Sequence, residues 1–123
     1  MTTATLQSPE QAIAALAARQ GISLTCQCPG ACIYLETTDY SYELTLLDRS
    51  SLKVEIASND PRLGIRTVGI FERSVYDEKG NVFLSARIVE GMRMQIRFAN
   101  GVFRSQPVVT ATVLGTGWHY KVF

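Results

Sequence analysis

Residues 82–106 alternate apolar and polar side chains so regularly that they read as a three-stranded meander, and this constrains the chain more than any motif in it. Val82, Leu84, Ala86 and Ile88 alternate with Phe83, Ser85, Arg87 and Val89. Met92, Met94, Ile96 and Phe98 alternate with Arg93, Gln95 and Arg97. A period of two marks strands with one buried face. The first two runs meet at Val89-Glu90-Gly91. A two-residue turn there would pair Ile88 with Arg93 on one face, which burial forbids. A three-residue loop with Gly91 in the left-handed region pairs Ile88 with Met92 and sets Arg87 opposite Arg93. Asn100-Gly101 is a strong hairpin signal. It is expected to pair Phe98 with Phe103 inside and Arg97 with Arg104 outside. Like charges directly opposite one another destabilise a sheet, so something acidic is expected over that face, with Glu43 and Glu55 as internal candidates.

The rest of the chain fits the same class. Ile22–Gln27, Cys32–Thr37, Tyr40–Leu47, Leu52–Ala57, Ile65–Phe71, Val108–Leu114 and Trp118–Val122 are further strand candidates, separated by turn formers such as Pro29-Gly30, Asp48-Arg-Ser-Ser51 and Asn59-Asp60-Pro61. A helix is expected only near the start: Ser8 as N-cap, Pro9 in the first turn, Gln11 closing a capping box, an alanine-rich body and Gly21 as the stop. Its stripe of Ile13, Leu16 and Ala17 is wide enough to dock on a sheet, and with Leu6 it would also serve a dimer contact. The expected fold is a single mainly β domain over 1–123, an antiparallel barrel or sandwich with strands across 22–122 and one short N-terminal α-helix over 8–20.

Charge narrows the partners. The chain of 123 residues carries a net +1, which argues against bulk attraction to nucleic acid or membrane. The two halves differ: residues 1–60 hold three cations and seven acids, while residues 61–123 hold nine cations and four acids. One reading is that the halves fold against each other and neutralise, as cross-strand charges usually do. The other is that the arginines serve a partner. Nine of the twelve cations are arginine, the side chain whose planar fork matches carboxylate and phosphate.

Three cysteines fall in Cys26-Gln-Cys28-Pro-Gly-Ala-Cys32. With His119 as a fourth ligand they would make a tetrahedral zinc site, or they would act as redox thiols. The spacing does not match the usual C-x2-C knuckle, and cysteine packs readily as a small apolar side chain. No residue is therefore assigned to metal and no cofactor is expected. An odd cysteine count does not suit a disulfide framework. The start of the chain lacks the character of a signal peptide, and no apolar run reaches the ~20 residues of a membrane span, so a reducing cytoplasm is the expected setting. Catalysis has little support: one histidine, His119, lies between aromatics, and no nucleophile elbow, metalloprotease helix or phosphate loop is present. Tyr34, Tyr40, Tyr42, Tyr76, Trp118 and Tyr120 would stack bases, but aromatics are also ordinary sheet fillers.

The expected function is a non-enzymatic binding or assembly module that presents Arg87, Arg93, Arg97 and Arg104 to an acidic protein surface, an anionic ligand or a second copy of the chain. The alternative is a metal- or redox-active thiol protein using Cys26, Cys28 and Cys32.

Overall fold

Alternation becomes strand nearly everywhere it occurs. The computed structural model describes residues 21–76, 79 and 83–116. Ten strands follow in chain order: β1 (Ile22–Ser23), β2 (Ala31–Glu36), β3 (Ser41–Asp48), β4 (Lys53–Ser58), β5 (Arg66–Val75), β6 (Phe83–Ser85), β7 (Arg87–Ile88), β8 (Arg93–Phe98), β9 (Gly101–Pro107) and β10 (Thr110–Thr116). One eight-stranded antiparallel sheet runs β10-β2-β3-β4-β5-β8-β9, with β6 beside the far end of β5; β1 and β7 form a separate two-stranded ribbon. The expected helix over 8–20 and the strand at Trp118–Val122 lie outside the described residues. No helix among the described residues is long and apolar enough to cross a membrane. The strand expected at Ile22–Gln27 is shorter than its pattern, because Leu24–Cys26 close into a single 3-10 turn.

One face of this sheet is the core. Tyr42, Leu44 and Leu46 of β3, Val54 and Ile56 of β4, Phe71 of β5, Met94 and Ile96 of β8 and Phe103 of β9 belong to one buried cluster. Fully burying such a side chain contributes roughly 1.5–3 kcal/mol each. The sheet must curl to bring them together. β3 and β9 are four strand positions apart, ~19 Å if flat at ~4.8 Å per strand. Yet the rings of Tyr42 and Phe103 lie with centroids 6.1 Å apart. The curl stops short of a closed barrel: β9 and β10, the two edge strands, are consecutive in the chain but do not pair with each other. Side chains bridge part of the gap. Gln106 of β9 donates to Asp39 Oδ2 at 2.7 Å and accepts from Thr37 Oγ1 at 3.0 Å, fastening β9 to the β2–β3 turn. At Gly69 a Cβ would meet the Phe98 ring at 2.7 Å, so glycine there lets an aromatic from the neighbouring strand lie against the β5 backbone.

The meander at 82–106 departs from expectation in two ways. First, 82–89 is not one strand paired with β8. Ala86 takes φ +57° and splits it. β6 then pairs with β5, while β7 pairs with β1, so Ile88 faces Ile22 and Arg87 faces Ser23. β5 occupies the place beside β8. Gly91 does adopt a positive φ of +91°, but the turn it makes sends its N–H to the Val108 carbonyl at 2.8 Å. Second, the β8–β9 hairpin turns one position earlier than the Asn-Gly signal implies. Phe98 pairs with Gly101, Arg97 with Val102, Ile96 with Phe103 and Gln95 with Arg104. Neither Arg87/Arg93 nor Arg97/Arg104 is a directly opposed pair. A one-residue slip would exchange the two faces of a strand, whereas the shift of β9 against β8 moves partners by two and leaves Ile96, Phe98 and Phe103 on the core side.

Candidate functional site

The outer face of β5, β8 and β9 carries three rows of side chains running across the strands. Phe83, Val75, Arg93 and Pro107 make one; Ser85, Arg73, Gln95 and Arg104 the next; Ile70, Arg97 and Val102 the third. Three of the four expected arginines, Arg93, Arg97 and Arg104, are therefore brought together. Arg87 is elsewhere, on the β1–β7 ribbon, where its side chain lies against Gly21 and its carbonyl accepts the Ser74 hydroxyl at 2.6 Å.

Two β-bulges assemble the face. Between Phe71 and Arg73 the register of β5 shifts by one residue, and Glu72 is the extra one. In a regular strand Glu72 and Arg73 would point to opposite sides. The bulge aims both outward, as such irregularities commonly re-aim side chains. Glu72 Oε1 accepts from Gln95 Nε2 at 2.9 Å and Glu72 Oε2 from Arg97 Nε at 3.1 Å; Gln95 Oε1 accepts from Arg104 Nε at 2.7 Å. The result is a continuous polar chain, Arg97–Glu72–Gln95–Arg104, with Gln95 almost fully covered at its centre. The hydrogen bond from Gln95 and then the Arg97 charge hold the Glu72 carboxyl below its ordinary value, outweighing its partial desolvation. The second bulge is in β9. There the buried Ser105 hydroxyl accepts the Met94 N–H at 2.9 Å, replacing a ladder bond, and the Ser105 carbonyl accepts from Arg93 Nη1 at 3.3 Å.

Arg73 is the member of the face that the sequence did not single out. Its guanidinium lies over the Phe83 ring, 4.3 Å from the centroid. Its Nε is buried and donates to no acceptor. The acid expected above the arginines is supplied by Glu72. Glu55 instead pairs with Arg66 at 2.9 Å, and Glu43 lies opposite Tyr34 and Ala57. The missed signal was the length of β5. The strand pattern from Ile65 ends at Phe71, whereas β5 continues through Glu72 and Arg73 to Val75.

A second polar cluster lies at the end of the β8–β9 hairpin. Asp60, wholly buried, accepts the Tyr42 hydroxyl at 2.7 Å, the Arg62 backbone N–H at 2.9 Å and Arg62 Nη2 at 2.6 Å. The Arg62 guanidinium holds the Asp60 carboxyl down to about 2 despite its burial. Burial and the hydrogen bond to Asp60 push the Tyr42 phenol up. Arg62 also covers the Phe103 ring at 4.6 Å, and with Leu63, Phe98, residues 100–102 and Arg104 it borders an open cleft of about 290 Å³.

The cysteines separate. Cys26 and Cys28 are exposed, and Cys32 is buried in β2, where burial and then the Glu43 charge push its thiol up. Among the described residues no three potential ligands group closely enough to hold a metal ion. His119 lies outside the described residues.

Guanidiniums are the groups that make charge-assisted hydrogen bonds with anions, and here they stand beside an ionised carboxylate and a buried amide. No family model, no curated protein and no solved structure matches the chain.

Proposed function

We propose that this chain is a non-enzymatic binding or assembly module that docks an acidic protein surface or anionic ligand on the outer face of β5, β8 and β9. The single observation behind the reading is the imbalance of that face. Among the described residues, Arg73, Arg93, Arg97 and Arg104 share it with one carboxylate, Glu72. Exposed apolar side chains, Val102 at 56% and Phe83 at 42%, flank the arginines, the mixture of arginine and apolar surface that interfaces favour. A second copy is among the partners the charges fit, because β2, β3 and the turn between them expose Glu36, Asp39 and Glu43.

Titration with a poly-glutamate peptide, followed by backbone amide NMR shifts, tests the reading. Shifts should fall on β5, β8 and β9, shrink as salt is raised, and vanish in an Arg93→Glu/Arg97→Glu variant. Absence of binding at low salt, or shifts mapping to other strands, would overturn it. Sedimentation across a concentration series reads the homodimer directly.

The exposure of Cys26 and Cys28 favours a second reading, in which these thiols serve redox or metal chemistry. Elemental analysis and alkylation rates of the purified protein test it: stoichiometric metal, or thiols reacting far faster than free cysteine, would promote this reading over the first.

A further inference from the structure

We propose that Asn100, at the tip of the β8–β9 hairpin, is a site of spontaneous covalent modification, where the Gly101 nitrogen attacks the side-chain amide and a carboxylate results. Phe98 pairs with Gly101, so Ala99 and Asn100 form the loop between the two strands. Gly101 is held at φ +146°, where residues with a side chain are strained. The turn therefore selects the one residue whose nitrogen has no side chain beside it. Nothing lies within 4 Å of the place a Cβ on Gly101 would take. Asn100 is exposed, and among the described residues no hydrogen bond holds its Oδ1 or Nδ2.

The reaction consumes only water. The Gly101 nitrogen gives its proton to solvent, its electron pair forms a bond to Asn100 Cγ, and the Cγ–Nδ2 bond breaks with Nδ2 leaving as ammonia. The product is a cyclic succinimide. Water then opens the ring at one of its two carbonyls. Breaking the new Cγ–N bond leaves an ordinary aspartate at position 100. Breaking the original peptide bond instead routes the chain through Cβ and Cγ as an isoaspartate. Either product carries a carboxylate and takes the net charge of the chain from +1 to 0. Asn100 lines the open cleft of about 290 Å³ together with Arg62 and Arg104, so the new charge enters on that rim.

The chain has two other asparagines, and they differ in the features that matter. Asn59 Oδ1 accepts the Ser41 N–H at 3.0 Å, and the following nitrogen, of Asp60, donates to Ser58 Oγ at 2.9 Å. Both reacting groups are thus occupied there. Asn81 precedes Val82, whose branched side chain crowds the attacking nitrogen.

Peptide mapping by mass spectrometry during storage of the folded protein in warm, mildly alkaline buffer tests the proposal. Position 100 should show the mass gain of an amide-to-acid exchange and a mixture of aspartate and isoaspartate. It should convert at least about tenfold faster than Asn59, whose held groups must first open locally. Isotopically heavy water should leave one labelled oxygen at that position. Asn100→Gln, which lengthens the side chain by one carbon, should abolish the acidic band that appears on isoelectric focusing of the wild type. A parallel sample unfolded in urea reads the role of the fold. Conversion in urea with none in the folded protein would overturn the proposal, because the hairpin would then protect the residue. Equal rates at Asn59 and Asn100 in the folded protein would overturn it as well.

Discussion

Arg62 and Arg73 are chemically the same contact in two settings. Each guanidinium lies over a phenylalanine ring, at 4.6 Å for Arg62 on Phe103 and 4.3 Å for Arg73 on Phe83. Around Arg62 the other groups are complete: Asp60 takes Nε and Nη2, the Arg104 carbonyl accepts from Nη1 at 3.4 Å, and Tyr42 completes the carboxylate from beneath. Three segments of chain, β3, β9 and the β4–β5 connection, meet through that network. Around Arg73 there are the ring and the neighbouring Glu72 charge, and Nε has no acceptor. The same residue type thus acts as a closed structural tie in one place and keeps an unfilled donor in the other. The difference lies in a buried carboxylate, and exposure does not decide it, since the Arg62 side chain is itself 51% exposed.

The comparison breaks most visibly at Asp60. Asp60→Ala removes a wholly buried acceptor and leaves the Tyr42 hydroxyl buried without a partner. The expected loss is about 3 kcal/mol in the urea unfolding free energy. A loss below about 1 kcal/mol would show that the network is incidental. Arg62→Met should cost slightly less, about 2 kcal/mol, because it strands a buried carboxylate that can regain neutrality by protonation. Acid reads the same tie. The Asp60 carboxyl lies at about 2 in the fold, against an ordinary value of 3.8. A lowered folded value means the contribution is complete above about pH 5 and is lost as pH falls through 4 towards 2. The amount is about 2 kcal/mol, and Asp60→Asn should flatten that part of the stability profile.

How much of this was legible in the chain differs by level. The alternation of Tyr42, Leu44 and Leu46 with Glu43, Thr45 and Leu47 marks β3 and its buried face without ambiguity, and the turn formers bracket most strands within a residue or two. Pairing was less legible. The Phe98–Gly101 register and the expected one bury the same side chains, so hydrophobic patterning carries no information that separates them. Ala86 at φ +57° could not be anticipated, because alanine carries no preference for that region. The face itself depends on a bulge at Glu72, one extra residue whose only sequence trace is a broken alternation after Phe71. Asp60 was read as a turn residue, and it is one. Its second role had a signal in Tyr42: an inward tyrosine in a core strand needs a partner for its hydroxyl.

The smallest expected effect is also the one that most sharpens the contrast. Arg73→Met should change stability by no more than about 0.5 kcal/mol, since the methionine keeps apolar contact with Phe83 and no hydrogen bond from Nε is lost. A small gain is equally consistent, because deleting a buried donor that lacks an acceptor relieves its desolvation. The same substitution at Arg62 should cost several times more, although both side chains sit on phenylalanine rings. Paired urea titrations of the two variants measure the difference without any ligand. Equal losses would mean that the ring contact dominates both sites and that Arg73 is a structural tie like Arg62. A neutral Arg73→Met beside a damaging Arg62→Met would leave the Arg73 cation with no task in holding the fold, which is the condition a recognition residue must meet.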